Sequence, residues 1–138
     1  MTDTLVDANV LIDVWVENPA WADWSMDAIT AARLVGEVVI NPIIFAEVCV
    51  PFASMADAEG AMPSQVFRRE DLPWEAAFVA ARAFARYREG GGNRRSPLPD
   101  FYIGAHAEVR KLRLLTRDTV RYRHYFPDVE IVSPQTRP

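Results

Sequence analysis

LVDANVLID, residues 5–13, changes its period partway along. Leu5 and Val6 read as the end of a buried strand, whereas Val10, Leu11, Val14 and Trp15 recur at helical spacing directly afterwards. Asp7 therefore falls where a strand turns into a helix. An aspartate at such a junction is also a good helix cap, and Asn9 could serve the same end. What separates a cap from a functional carboxylate is whether other acids converge on the same place.

Working outward, a strand at about 4–7 leads into a helix reaching about 17. PAWADWSMDAITAARLV follows as a second helix with Pro19 near its start. VVIN is a short buried strand, and Asn41 with Pro42 makes a cap and first-turn pair for a helix carrying IIFAEVCV. SMADAEGAMPSQ is a weaker helical or loop stretch. Trp74, Phe78, Ala81, Phe84 and Ala85 mark the apolar stripe of a helix over about 73–88. Three glycines and two prolines make EGGGNRRSPLP a loop. A helix over 100–111, the strand LRLLT, a short helix near 119–125 and a last strand VEIV complete the chain. Strands alternating with helices imply a parallel sheet covered on both faces.

A length of 138 residues, half of them apolar, suits one domain spanning 1–138. The single Cys49 sits in an apolar run, so no disulfide framework forms and a reducing compartment is expected. The N-terminus carries Asp3, Asp7 and Asp13 without a basic flank, which excludes an ordinary signal peptide, and no apolar run spans a membrane. A soluble, cytoplasmic protein is the expectation. The net charge of −4 argues against a nucleic-acid partner only when taken whole. Residues 1–81 hold three arginines against thirteen acids, while residues 82–123 hold eleven Lys or Arg against four acids. The second segment is the candidate anion-facing surface, although Arg82, Arg86 and Arg88 suit a solvated helix face equally well.

Parallel sheets of this kind bind ligands beyond the carboxyl ends of their strands. Asp7 follows the first strand and Asp118 follows LRLLT, so both belong to the same edge. Glu47 shares a helix face with Ile43, Ile44 and Val48 and so points inward. Asp100 opens a helix behind Pro97 and Pro99. Singly, Asp100 and Asp118 serve as helix caps as well as functional acids, and a solvent-facing role is the plain alternative for Glu47. Together, four acids in one crevice repel and raise each other's pKa unless a cation neutralises them, and Mg²⁺ or Mn²⁺ is the economical choice. Without Cys or His clusters zinc is disfavoured, and His106 and His124 are better read as helix and strand-edge residues than as ligands or bases.

LVDANVLID, the inward Glu47, SPLPDFYIGAHA and LLTRD followed by RYRHYFPDVEIVSP resemble the motifs of the PIN-domain ribonucleases, especially their VapC-type toxins, over nearly the whole chain. The resemblance implies that Asp7, Glu47, Asp100 and Asp118 form the metal site, with Asn9 and Thr116 matching polar positions beside the first and last acids. It also implies a three-layer α/β/α sandwich, Mg²⁺-dependent RNA cleavage, homodimerisation and inhibition by a cognate antitoxin.

An acidic site must hold RNA by charges outside it. Arg94 and Arg95 lie in the glycine loop immediately before Asp100, and Arg117 lies within LLTRD, so these three are the expected substrate contacts. Sequence-selective RNA recognition mostly targets single-stranded loops, which makes a structured RNA such as tRNA or rRNA a reasonable substrate. Trp15, Trp21 and Trp24 are core by default, yet three so close together also suit an exposed groove for an amphipathic antitoxin segment. Competing readings are a phosphate-receiver module, which needs a lysine near the last strand where only the helical Lys111 is offered, a catalytically silent interaction domain, and a structure-specific DNA nuclease. Divalent-ion affinity separates the silent domain from the nucleases.

Overall fold

The computed structural model describes residues 1–134, so the last four positions of the expected 1–138 domain lie outside the described residues. In chain order the elements are β1 (Thr4–Val6), α1 (Ala8–Trp15), α2 (Ala22–Val35), β2 (Val38–Ile40), α3 (Pro42–Cys49) and α4 (Met55–Ala61). They continue as β3 (Phe67–Arg69), α5 (Trp74–Glu89), α6 (Pro99–Arg110), β4 (Arg113–Leu115), α7 (Val120–Tyr125) and β5 (Ile131–Val132). The strands form one sheet in the order β3-β2-β1-β4-β5. Every pairing is parallel, with Leu5 opposite both Val39 and Leu114, so the sheet among the described residues is wholly parallel. Every residue of β1 and β2 is buried, as expected of central strands covered by helices on both faces of an α/β sandwich.

Local chemistry explains most of these boundaries. Asp7 caps α1 through Ala8 N, Asn41 caps α3 through Ile44 N ahead of Pro42, and Ser54 caps α4 through Asp57 N. Lys111 ends α6 in the left-handed conformation (φ 55°). Pro19 lies in a turn before α2 rather than in its first turn, and α1 stops at Trp15.

The sequence pattern does not reveal strand β3, and it misplaces the inward face of α5. Strand β3 carries no apolar alternation, because its second and third residues are Arg68 and Arg69. As an edge strand it is held by charge, with Arg68 paired to Asp3, Glu37 and Glu70 and Arg69 paired to Glu59. The buried stripe of α5 is Ala76, Ala80 and Ala83, not the one marked by the large side chains. Trp74 is 92 % and Phe78 67 % exposed. Small residues let α5 pack closely on α6, and size rather than hydrophobicity chose the inward face.

Helix α6 is tied down by contacts at two depths. His106 is fully buried; its Nδ1 lies 2.9 Å from Asn41 Nδ2 and its Nε2 lies 2.8 Å from Glu70 Oε1. Gly104 faces the buried ring of Phe126, and a Cβ placed there would sit 2.3 Å from the ring. Gly104→Ala should therefore destabilise the protein by about 1–3 kcal/mol through overpacking, despite alanine's better helix propensity. Urea unfolding measures this, and a gain in stability would contradict the packing assigned to Phe126.

Candidate active site

Strand β1 is followed directly by Asp7 and β4 by Thr116, two neighbours at the carboxyl edge of the sheet. From β1 the chain steps outward to β2 and β3, then resumes on the other side of β1 at β4. The two central strands thus flank a topological switch point, where α/β sheets open a crevice. Asp7, 5 % exposed, closes the ladder by donating its backbone N–H to Leu115 O at 2.9 Å.

The Asp7 carboxylate is held on both oxygens. Oδ1 accepts from Ala8 N at 2.8 Å. Oδ2 accepts from the hydroxyls of Thr116 and Tyr122, each at 2.9 Å. Thr116 Oγ1 in turn accepts from Asn9 Nδ2 (3.2 Å) and from the Asp118 backbone N–H (3.2 Å). Asn9 Oδ1 accepts from Arg117 N, which locks the turn after β1 to the turn after β4. The Tyr122 hydroxyl also lies 3.4 Å from Asp100 Oδ1, and Asp100 Oδ2 pairs with Arg121 at 3.4 Å. Pro99 in the first turn of α6 sets Asp100 at the helix start.

Electrostatics place Glu47 with this pair. Burial, then the charges of Asp7 and Asp100, raise its carboxyl from the ordinary range to about 7. Its Oε1 is buried without a hydrogen-bond partner. Burial also raises Asp7 and Asp100. For Asp7 the opposing influences are the Thr116 and Tyr122 hydroxyls, and Asp100 adds a repulsion. For Asp100 the largest opposing influence is the Arg121 charge, while Asp118 repels it. Tyr122 is pushed well upward by burial and by the surrounding carboxylates, so its hydroxyl stays protonated as a donor.

The four sequence-derived acids are thus not equivalent. Asp7, Glu47 and Asp100 feel one another, whereas Asp118 is exposed and borders Asp100 at the rim. Asn9 and Thr116 sit against Asp7. Arg94 and Arg95 are exposed on the loop between α5 and α6. Arg117 departs from its expected role: Asp13, 2 % exposed, accepts from its guanidinium at Nη2 (2.9 Å) and Nε, and that guanidinium lies over the Trp21 ring at 4.8 Å. A buried carboxylate needs a counter-charge, and Arg117 supplies it instead of facing outward. Sequence reasoning missed Tyr122 and Arg121. The available signal was the spacing of Tyr122 and Phe126 on one helix face, since a buried tyrosine needs a partner for its hydroxyl.

Among the described residues no three Asp, Glu, His or Cys side chains are already disposed as ligands around one point. The donors nevertheless fit a hard divalent cation in kind. They are all oxygen, they repel one another, and Glu47 Oε1 is an unsatisfied buried acceptor. Mg²⁺ is commonly held through only one or two carboxylates with water completing the octahedron, so three preset ligands are not required.

Residues 4–127 match the sequence profile of the PIN domain. No curated protein matches the chain. Among solved structures, the chain is similar to a chain of the VapBC2 complex of Rickettsia felis bound to a promoter DNA fragment (TM-score 0.75, 12 % identity, covering 97 % of this chain and 100 % of that one). It is also similar to a chain of FitAcB from Neisseria gonorrhoeae (TM-score 0.72, 19 % identity, covering 96 % and 99 %). A third likeness is to a toxin–antitoxin complex from Klebsiella pneumoniae (TM-score 0.60, 25 % identity, covering 86 % and 89 %).

Proposed function

Because the chain belongs to the PIN domain family, we propose that it is a divalent-metal-dependent endoribonuclease acting as the toxin of a toxin–antitoxin pair, one nuclease domain across 1–138. The observation that carries this reading is the meeting of Asp7, Glu47 and Asp100 at the switch point, with one buried carboxylate oxygen left unpartnered. Asp7 and Asp100 are the residues that would hold Mg²⁺ or Mn²⁺, with Asp118 at the rim and Glu47 behind. The bound ion supplies Lewis-acid stabilisation of charge developing on the phosphate oxygens and eases deprotonation of water.

The protein's own residues do the rest. Thr116, with Asn9 behind it, and Tyr122 fix Asp7 in one rotamer by donating to Oδ2. Glu47, whose buried Oε1 has no hydrogen-bond partner, is placed to accept from and orient an attacking water. Arg94 and Arg95 are the exposed cationic contacts proposed for the RNA backbone, in a tRNA or rRNA class of substrate.

Tyr122→Phe tests the support given to Asp7. Loss of that donor removes an influence that lowers the Asp7 carboxyl, so its pKa rises further. The acidic limb of the cleavage rate should move to higher pH, with the rate above pH 8 changed much less. An unmoved limb would show that the hydroxyl does not tune Asp7.

A cognate antitoxin is the proposed protein partner, supported by the toxin–antitoxin complexes among the similar structures. Its apolar segment would enter the groove lined by Leu11, Val14, Trp15, Met26, Ile29 and Met62. Trp15 remains 51 % exposed there, as an unfilled partner groove requires. Homodimerisation and a cytoplasmic site of action complete the proposal. No helix among the described residues is long and apolar enough to cross a membrane.

The deciding experiment incubates purified protein with total RNA, and in parallel with single- and double-stranded DNA, in chelator or in Mg²⁺ or Mn²⁺. RNA cleavage restored by the ion is expected. Preferential DNA cleavage would favour the DNA-nuclease reading, and ion-independent cleavage, or none in any buffer, would overturn the proposal.

A further inference from the structure

Beside Asp100 and Asp118 a cavity of about 350 Å³ opens between the end of α5 and α7. Its remaining wall is formed by the rings of Tyr87, His124 and Tyr125, the guanidinium of Arg121 and the exposed Val120. The Tyr87 and Tyr125 rings meet at 67° with centroids 6.5 Å apart, and His124 stands edge-on to Tyr125 at 4.5 Å. Arg121 lies over Tyr87 at 5.8 Å while its other end pairs with Asp100. This wall is preset. Tyr87 and Tyr125 both pack against the buried Phe101, and Gly92 lays its bare Cα on Tyr87, where a Cβ would come within 2.3 Å of the ring.

We propose that this cavity is a stacking subsite for one unpaired nucleobase of the RNA, the base next to the phosphate being cut. The inference rests on the nuclease reading above and adds which face of the site reads the substrate. Two carboxylates on the rim repel a phosphate from the cavity, whereas an uncharged flat ring is accepted by the aromatic side chains. Stacking tolerates any base and requires it to be unpaired, so the subsite selects single-stranded segments and loops. Arg121 joins the two halves of the site: its guanidinium lies over Tyr87, flanking the Tyr125 and His124 rings left for the base, and pairs with the acid that faces the phosphate. The glycine loop thereby acquires a role, as only a residue without a side chain at position 92 lets the loop back Tyr87.

The test has two arms. In the first, the full-length protein is titrated in chelator with a single-stranded ribotrinucleotide, which is not hydrolysed without the ion, and the Tyr and His ring resonances are followed by NMR. Shifts at Tyr87, Tyr125 and His124 are expected, and a trinucleotide lacking its middle base should produce none. In the second, cleavage of a single-stranded oligoribonucleotide is compared with that of the same strand made abasic beside the cut. Wild type should lose about ten-fold or more in kcat/KM on the abasic strand. Tyr125→Ala and the exposed His124→Ala should lose efficiency on the intact strand, mainly through KM, and be less sensitive to the missing base. Tyr125→Phe should retain wild-type behaviour. Equal sensitivity to the missing base in wild type and both alanine variants, or ring resonances unmoved at saturation, would overturn the subsite. Ring shifts without cleavage in any metal would instead overturn the nuclease reading and leave base binding standing.

Discussion

Asp7→Asn is expected to reduce metal-dependent RNA cleavage by at least about 10²-fold while leaving the fold intact, since a single preorganised charge at a reacting centre is worth that much. The substitution separates the two duties of this side chain. Asparagine is as good a cap as aspartate, and its Oδ1 can still accept from Ala8 N, so α1 keeps its start. On the other side Tyr122 can rotate its hydroxyl to accept from the new amide, while Thr116, which already accepts from Asn9 and Asp118, turns its proton to the Asp118 carbonyl. What disappears is the negative charge. Burial already disfavours that charge, so the variant should unfold at a denaturant concentration no lower than wild type. Retained cleavage in a well-folded Asp7→Asn protein would remove the acidic crevice from the mechanism. Loss of both fold and cleavage would make Asp7 a cap alone.

Glu47→Gln should have the opposite signs in two assays: a more stable metal-free protein and a less active enzyme. The folded-state carboxyl lies near 7, above its ordinary 4.5. An acid whose pKa is raised by folding favours the folded state fully below the unfolded value, and that advantage is lost as pH climbs from about 4.5 to 7. At pH 8 wild-type Glu47 is therefore a charge tolerated at some expense. Glu47 is half-buried, so solvent screening limits the effect to on the order of 1–2 kcal/mol, a shift of several degrees in Tm. Removing the charge should abolish most of the stability decline between pH 4.5 and 7. It should also shrink the Tm increase that Mn²⁺ gives to wild type. A Mn²⁺-induced rise identical in the two proteins would place Glu47 outside the ion's influence, whatever happens to cleavage.

Much of this arrangement can be read from the chain because it rests on strong local signals. The change of period at Asp7, the Asn41–Pro42 start of α3 and the prolines before Asp100 each combine a steric rule with a capping rule, and each lands within a residue or two of the observed boundary. Glu47 was legible as inward because its neighbours are apolar on both sides. Strand β3 was not, because ion pairs to Asp3, Glu37 and Glu59 hold an edge that hydrophobic patterning cannot reveal. The α5 face was misread for a related reason. Large apolar residues dominate any periodicity, while close packing against α6 selected alanines. Arg117 and Arg121 exchanged their expected prominence through side-chain reach alone: one bends back to the buried Asp13, the other crosses to Asp100. Nothing in residue type or spacing distinguishes two arginines four positions apart in that respect.

The contact between Asn41, His106 and Glu70 sets how precisely the acids are spaced. Asn41 Oδ1 accepts from Ile44 N in the first turn of α3, which fixes which side of the amide faces His106. The imidazole must then accept at Nδ1 and donate from Nε2 to Glu70. Apolar surfaces slide past one another at little energetic cost, but a directional chain of this kind has one length. It spans from the base of the helix bearing Glu47 to the helix bearing Asp100, so it acts as a gauge block between the two carboxylates. Rigidity at an acidic site is conventionally sought among the acids themselves; here it is built some two turns away, in side chains that touch none of them.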